Sequence, residues 1–139
     1  MTVHFRTTRR VEQPASTVWA VLIDFESYAH WNPMVERAGG LLATGRALTL
    51  KLRRLPFPVQ AQIRRLEPGR ELRWGGGVPL LLDIEHYFQV IPEGDDAALF
   101  VHGEIFSGLL GPLVTRLAGI NDGDYERFND KLAEQAARL

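Results

Sequence analysis

The stretch LDIEHYFQVIPEGDDAALFVHGEIF, residues 82–106, holds two alternating runs around the polar turn PEGDD. Successive side chains of a strand point to opposite faces. Ile84, His86, Phe88 and Val90 therefore share one face of the first run, against Asp83, Glu85 and Gln89 on the other. In the second run Phe100, His102, Glu104 and Phe106 share a face. The turn is too short for a parallel crossover, which needs a dozen residues or more, so the pair is an antiparallel hairpin. For the two aromatic faces to coincide, the numbers of directly opposed residues must sum to an even value. A sum of 190 sets His86 opposite Glu104 and Phe88 opposite His102, whereas 188 sets His86 opposite His102. In either register two histidines and a carboxylate become neighbours on the face that the phenylalanines mark as inward.

Working outward, the same strand-like texture covers most of the chain. Residues 3–11 predict a first strand, and runs at 35–42, 46–54, 58–67 and 70–76 precede the hairpin strands 82–91 and 97–106. Gly- and Pro-containing turns separate them. Pro14 suits a helix first turn, followed by a stripe of Val18, Trp19, Leu22 and Ile23. Asp24 is placed to cap a second short helix through Tyr28, and WNP at 31–33 ends it, because a residue before proline avoids the helical region. From Leu110 the period changes to 3.6. Leu110, Leu113, Leu117, Asn121, Tyr125, Phe128, Leu132 and Leu139 predict one amphipathic helix of about 28 residues, about 42 Å long. The predicted fold class is α+β, in the order strand, two short helices, six strands, one long helix. A strongly curved antiparallel sheet of about seven strands around the C-terminal helix is the economical way to bury that stripe.

Composition narrows the function. The 139 residues match one ordinary domain spanning 1–139, without repeats or a linker. A net charge of −1 argues against a nucleic-acid partner. The charge is uneven, with 12 Lys/Arg against 6 Asp/Glu over residues 1–80 and 4 against 11 over 81–139, which fits halves that pair within one fold. No cysteine is present, which removes disulfides, thiolate chemistry and cysteine zinc sites. The start MTVHFRTTRRVEQP lacks the apolar run of a secretory signal, and no run approaches the ~20 apolar residues of a membrane span. A cytoplasmic protein is the expectation, as a monomer or a homodimer.

VWAVLIDFESYAHWNP (18–33), ELRWGGG (71–77), HYFQV (86–90), HGEIFSGLLGPL (102–113) and FNDKL (128–132) together resemble the START-like, helix-grip superfamily. Within it they are most similar to the SRPBCC, polyketide cyclase/dehydrase-type domains, and the spacing D-F-x-x-Y-x-x-W-N-P is the most specific element. The resemblance implies a cavity between sheet and long helix that holds hydrophobic small molecules. It does not imply one reaction, since fold does not fix function.

Three uses of His86, His102 and Glu104 then stand open. They form a self-satisfied buried pair, as buried polar groups usually do. They form a polar floor that orients a ligand oxygen in an apolar pocket. Or they do chemistry, as a two-histidine, one-carboxylate metal triad or as the acid and base of a cyclase or dehydratase. The expected pocket lining is Trp74, His86, Phe88, Phe100, His102, Glu104, Phe106, Leu117 and Tyr125, with a lipid, quinone or polyketide-like ligand and no metal or cofactor. Trp74 before three glycines reads as a core tryptophan before a turn, or a pocket wall beside a flexible rim. Asn121, Tyr125 and Asn129 bring polar atoms near the helix stripe, where Tyr125 either reaches the cavity or makes a rim hydrogen bond. The loops LPFP (55–58), GGVPLLL (76–82) and GLLGPL (108–113) are unusually apolar. Clustered, they make a portal for transient contact with a membrane or protein; folded down, they plug the pocket mouth. His4 and His30 receive no role.

Overall fold

The computed structural model describes residues 2–139. Seven strands form one antiparallel sheet: β1 (Thr2–Val11), β2 (Val35–Gly39), β3 (Ala47–Leu52), β4 (Val59–Glu67), β5 (Glu71–Val78), β6 (Leu82–Pro92) and β7 (Ala98–Ser107). Their spatial order is β1-β7-β6-β5-β4-β3-β2. Consecutive hairpins carry the chain from β2 to β7, and β1 closes the far edge against β7. The long link from β1 to β2 contains α1 (Ala15–Ile23), a single 3-10 turn (Phe25–Ser27) and α2 (Tyr28–Trp31).

Pro14 precedes the first turn of α1, and Val18, Val21 and Leu22 face the core. Trp19 and Ile23 are only half-buried, so the buried stripe lies one residue round from the expected one. Asp24 makes no capping bond to the backbone; its carboxylate accepts from the Ser27 hydroxyl at 2.7 Å, and the short helical segment runs on through Trp31. Asn32 is extended, as a residue before proline should be, and its Oδ1 accepts the amides of Met34 and Val35 at 2.9 Å. That turn launches β2.

The hairpin takes the register that sums to 190, with His86 opposite Glu104 and Phe88 opposite His102. One row therefore crosses the inner face from Phe5 through Glu104, His86 and Trp74 to Ile63, and the next runs from Thr7 through His102 and Phe88 to Leu72.

Two expectations need correction. The long C-terminal helix is two helices, α3 (Gly111–Leu117) and α4 (Asp122–Ala136). Gly119 sits at φ +66, where a glycine avoids the Cβ penalty. Asn121 and Asp124 then form a reciprocal capping box that restarts the helix. The glycines after Trp74 are not a turn either: β5 continues through them to Val78. A Cβ on Gly75 would stand 2.8 Å from the Arg64 guanidinium, which lies across the strand there.

Candidate functional site

α4 lies over the sheet and fills its centre with rings. Phe88, Phe100, His102, Phe128 and Tyr125 have essentially no surface open to water. The rings interlock: His102 lies 4.3 Å from Phe128 and 4.8 Å from both Phe88 and His86, centroid to centroid. Phe5 stacks on Tyr125 at 5.3 Å and meets Phe106 edge-on.

Within this apolar mass runs a continuous polar chain. Thr7 Oγ1 lies 3.0 Å from the His102 carbonyl, Asn129 Nδ2 2.9 Å from Thr7 Oγ1, and Asn129 Oδ1 2.9 Å from His102 Nδ1. The two imidazoles meet Nε2 to Nε2 at 2.6 Å. His86 Nδ1 faces Glu104 Oε2 at 3.2 Å, and the Tyr125 hydroxyl donates to Glu104 Oε1 at 2.8 Å. The hairpin register supplies the two histidines and the glutamate, β1 supplies Thr7, and successive turns of α4 supply Tyr125 and Asn129.

Burial, reinforced by His86 alongside, holds the His102 imidazole well below its usual range. Burial and the neighbouring Glu104 carboxylate push the Tyr125 phenol up, so it remains a donor. The three candidate metal donors do not converge on a point. Glu104 meets one nitrogen of His86 and His102 meets the other, on opposite sides of the same ring. Nitrogens 2.6 Å apart are at hydrogen-bond distance, closer than the ~3.3 Å that separates two ligands of a tetrahedral ion held at about 2.0 Å.

Trp74, His86, Phe88, Phe100, His102, Glu104, Phe106 and Tyr125 all lie on the inner side as expected. Leu117 does not. It ends α3, before the break, and is 78% exposed. Thr7 and Phe5 were missed, although the alternation of β1 against β7 puts both on the inner face. Asn129 is central rather than at the rim.

The expected cavity is filled where α4 covers the sheet, and space remains at the other end. There the inner face carries Val59, Ala61, Gly76 and Ile84, which are only partly buried. A Cβ added to Gly76 would meet nothing nearer than 3.6 Å, so nothing packs down on it. Glu104 and His86 stand at the border, with side chains 14% and 9% exposed. Beyond them the β5–β6 turn and the β7–α3 turn are tied together, the Leu109 and Leu110 amides donating to the Leu80 and Leu81 carbonyls. Arg54, in the β3–β4 loop, donates to the Ala118 carbonyl and to Asp124 Oδ2 at 2.9 and 3.0 Å. Two of the three apolar loops thus join directly in one rim, and the third reaches the α3–α4 junction beside it. Its leucines stay exposed, Leu80 most of all at 87%. A groove of about 510 Å³ lies there between Leu80, Leu82, Asp83, Ser107, Gly108 and Leu109.

The outer face is a different surface. Arg64 bridges Asp83 and Glu85, and Arg73 bridges Glu85 and Glu71. Gly103 has no side chain to block Tyr87, which crosses β7 and meets His4 at 2.6 Å, a partner the sequence did not reveal. Lys51 pairs with Glu36 at 3.5 Å, but Arg53 turns to the Asn32 and Ala29 carbonyls. Among the described residues no helix is long and apolar enough to cross a membrane.

Against known proteins, a family model described as polyketide cyclase/dehydrase and lipid transport matches residues 2–137. Among curated proteins none matches the chain. Of solved structures, the ZhuI aromatase/cyclase from Streptomyces sp. R1128 is similar at 20% identity and TM-score 0.76, covering 99% of this chain and 95% of that one. A START superfamily protein from Mycobacterium smegmatis is similar at 22% identity and 0.74, with 98% of each chain covered. Norcoclaurine synthase from Thalictrum flavum is similar at 14% identity and 0.73, with 99% and 96% covered. At these identities the likeness is one of fold.

Proposed function

Because the chain belongs to the polyketide cyclase/dehydrase and lipid transport family, we propose that it binds a hydrophobic small molecule, a lipid, quinone or polyketide-like compound, on the inner face of its sheet. One observation carries this reading. The polar pair Glu104–His86 stands where a ring-filled interior gives way to a partly open apolar face. A ligand oxygen placed there meets polar groups of the interior that water reaches, while its apolar body lies over Ala61 and Gly76 toward the rim. Sites of this kind are mostly apolar, with a few polar groups fixing orientation.

The test is uptake of a neutral fluorescent probe, N-phenyl-1-naphthylamine, alongside organic extraction and mass spectrometry of natively purified protein. The wild type is expected to take up the probe or release a stoichiometric apolar compound. Gly76→Val, which fills the bare floor, is expected to weaken uptake at least tenfold without loss of secondary structure. A wild type that is empty and takes up no probe has a plugged mouth, and the binding reading fails.

A second reading, a cyclase- or dehydratase-type enzyme, is favoured by the hydrogen-bonded run from Tyr125 through Glu104 to His86. It requires turnover of the extracted compound or a relative. Glu104→Gln would then cut the rate by ~10²–10⁴, the range that an acid–base group supplies, whereas in a pure carrier it shifts affinity only modestly.

A further inference from the structure

We infer that the interior holds one exchangeable proton shared between His86 Nδ1 and Glu104 Oε2, and that Thr7, Asn129 and His102 are positioning residues that dictate the direction of every hydrogen bond leading to it. This goes beyond ligand binding and is a property of the free protein.

The direction is set at one end by a group that can only accept. The His102 carbonyl faces Thr7 Oγ1 at 3.0 Å, so the Thr7 hydroxyl must donate its single proton there. Thr7 Oγ1 is then available only as an acceptor, and the Asn129 group 2.9 Å away must be the NH₂ end of the amide. That leaves the Asn129 carbonyl oxygen toward His102 Nδ1 at 2.9 Å, and His102 Nδ1 must carry a proton. A buried, neutral His102 with its proton on Nδ1 has a lone pair on Nε2. His86 Nε2, at 2.6 Å, must therefore be the donor. Each step follows from the one before once the Thr7 hydroxyl donates to the His102 carbonyl.

At the other end the Tyr125 hydroxyl donates to Glu104 Oε1. Between these fixed ends lies one contact, His86 Nδ1 to Glu104 Oε2 at 3.2 Å. With His86 already protonated on Nε2, two arrangements make it a hydrogen bond: imidazolium with carboxylate, or neutral imidazole with carboxylic acid. Both contain one proton, both are neutral overall, and they interconvert by moving it from nitrogen to oxygen. Without it, two lone pairs face each other inside an apolar interior, where an unmade hydrogen bond is costly.

The groups facing the pair are His102 from β7, Tyr125 from α4 and the non-titrating Trp74 from β5, with Asp124 and Arg54 next beyond Tyr125. No Lys or Arg among the described residues hydrogen-bonds to any member of the chain. The shared proton thus lies where water reaches the network at Glu104, whose side chain is 14% exposed, whereas His102 is fully buried.

The experiment is long-range ¹H–¹⁵N correlation NMR on ¹⁵N-histidine-labelled full-length protein at pH 7.5. The expected pattern is His102 protonated on Nδ1 with a bare Nε2, and His86 protonated on Nε2, with the ¹³C shift of the Glu104 carboxyl locating the shared proton. Glu104→Gln should remove that proton and leave His86 Nδ1 as an acceptor. Asn129→Leu should let His102 populate the opposite tautomer, and Asn129→Asp, which retains an acceptor, should restore the original. The proposal is overturned if wild-type His102 carries its proton on Nε2, if His86 Nδ1 is bare beside an ionised Glu104, or if Asn129→Leu leaves both rings unchanged. The wild-type spectrum decides the proton even where a variant does not fold, and a failure to bind any ligand leaves it untouched.

Discussion

The two ends of the inner face are built from the same alternating strands yet end up as different materials. At one end Phe88, Phe100 and His102 from the sheet meet Phe128 and Leu132 from α4, and none of them touches water. At the other the inward positions pass to Ala61, Gly76 and Ile84, and the rim beyond exposes Val78, Leu80, Leu109 and Leu113. Alternation alone decides which way a side chain points. Whether that direction is a core depends on what lies on top, and α4 covers only part of the sheet.

The sharpest way to break the contrast is to remove the lid at the closed end. Phe128→Ala should cost about 4 kcal/mol in urea unfolding, because the surrounding stacked rings cannot collapse into the hole. His102→Leu should cost about 3 kcal/mol, since it leaves Asn129 Oδ1 and His86 Nε2 without their partner. The same variant reports on pH. A buried His102 stays neutral while the unfolded ring takes up a proton below its usual value of 6.5. Below that pH the unfolded state binds more protons, so wild-type stability should fall as pH drops, by at most about 1.4 kcal/mol per unit from this one group. Urea melts at pH 6.5, 5.8 and 5.0 should show the fall in the wild type and its reduction in His102→Leu. Asp83, held below its usual value chiefly by its hydrogen bonds to Arg64, acts in a separate window near pH 4 and lower. At the open end the effects shrink and change sign. Leu80 has φ 69, a left-handed conformation that suits glycine, so Leu80→Gly should raise stability by up to about 1 kcal/mol. A loss comparable to that of Phe128→Ala would mean that the rim is packed after all.

The same contrast explains what could be read in advance. The strands were legible because a face that is buried imposes a strict period of two, and both the hairpin and its inward triad followed from it. The choice between sums of 190 and 188 was not, since each puts the same residues on the same side. The helix break was hidden because Leu113, Leu117, Asn121 and Tyr125 keep a helical period across it. Its signal was present in Asn121 and Asp124, a capping pair three residues apart, and in the glycine before them. Leu117 was misplaced for that reason alone. The polar chain was only half visible: strand alternation supplies His86, His102 and Glu104, but Thr7 and Asn129 join them through a contact between β1 and α4 that no local pattern encodes.

The capping box at Asn121 has a mechanical consequence. α4 pairs the Asn121 and Asp124 amides within its own capping box, and α3 is joined to it through Gly119 and the stretch around Ile120. The C-terminal region is therefore two cooperative units rather than one. The α3 segment with the rim turns can dissolve and re-form while the ring-filled half stays intact, as local opening occurs where apolar contacts are few. Hydrogen exchange should show it directly, with amides of residues 114–118 opening well before those of 128–136.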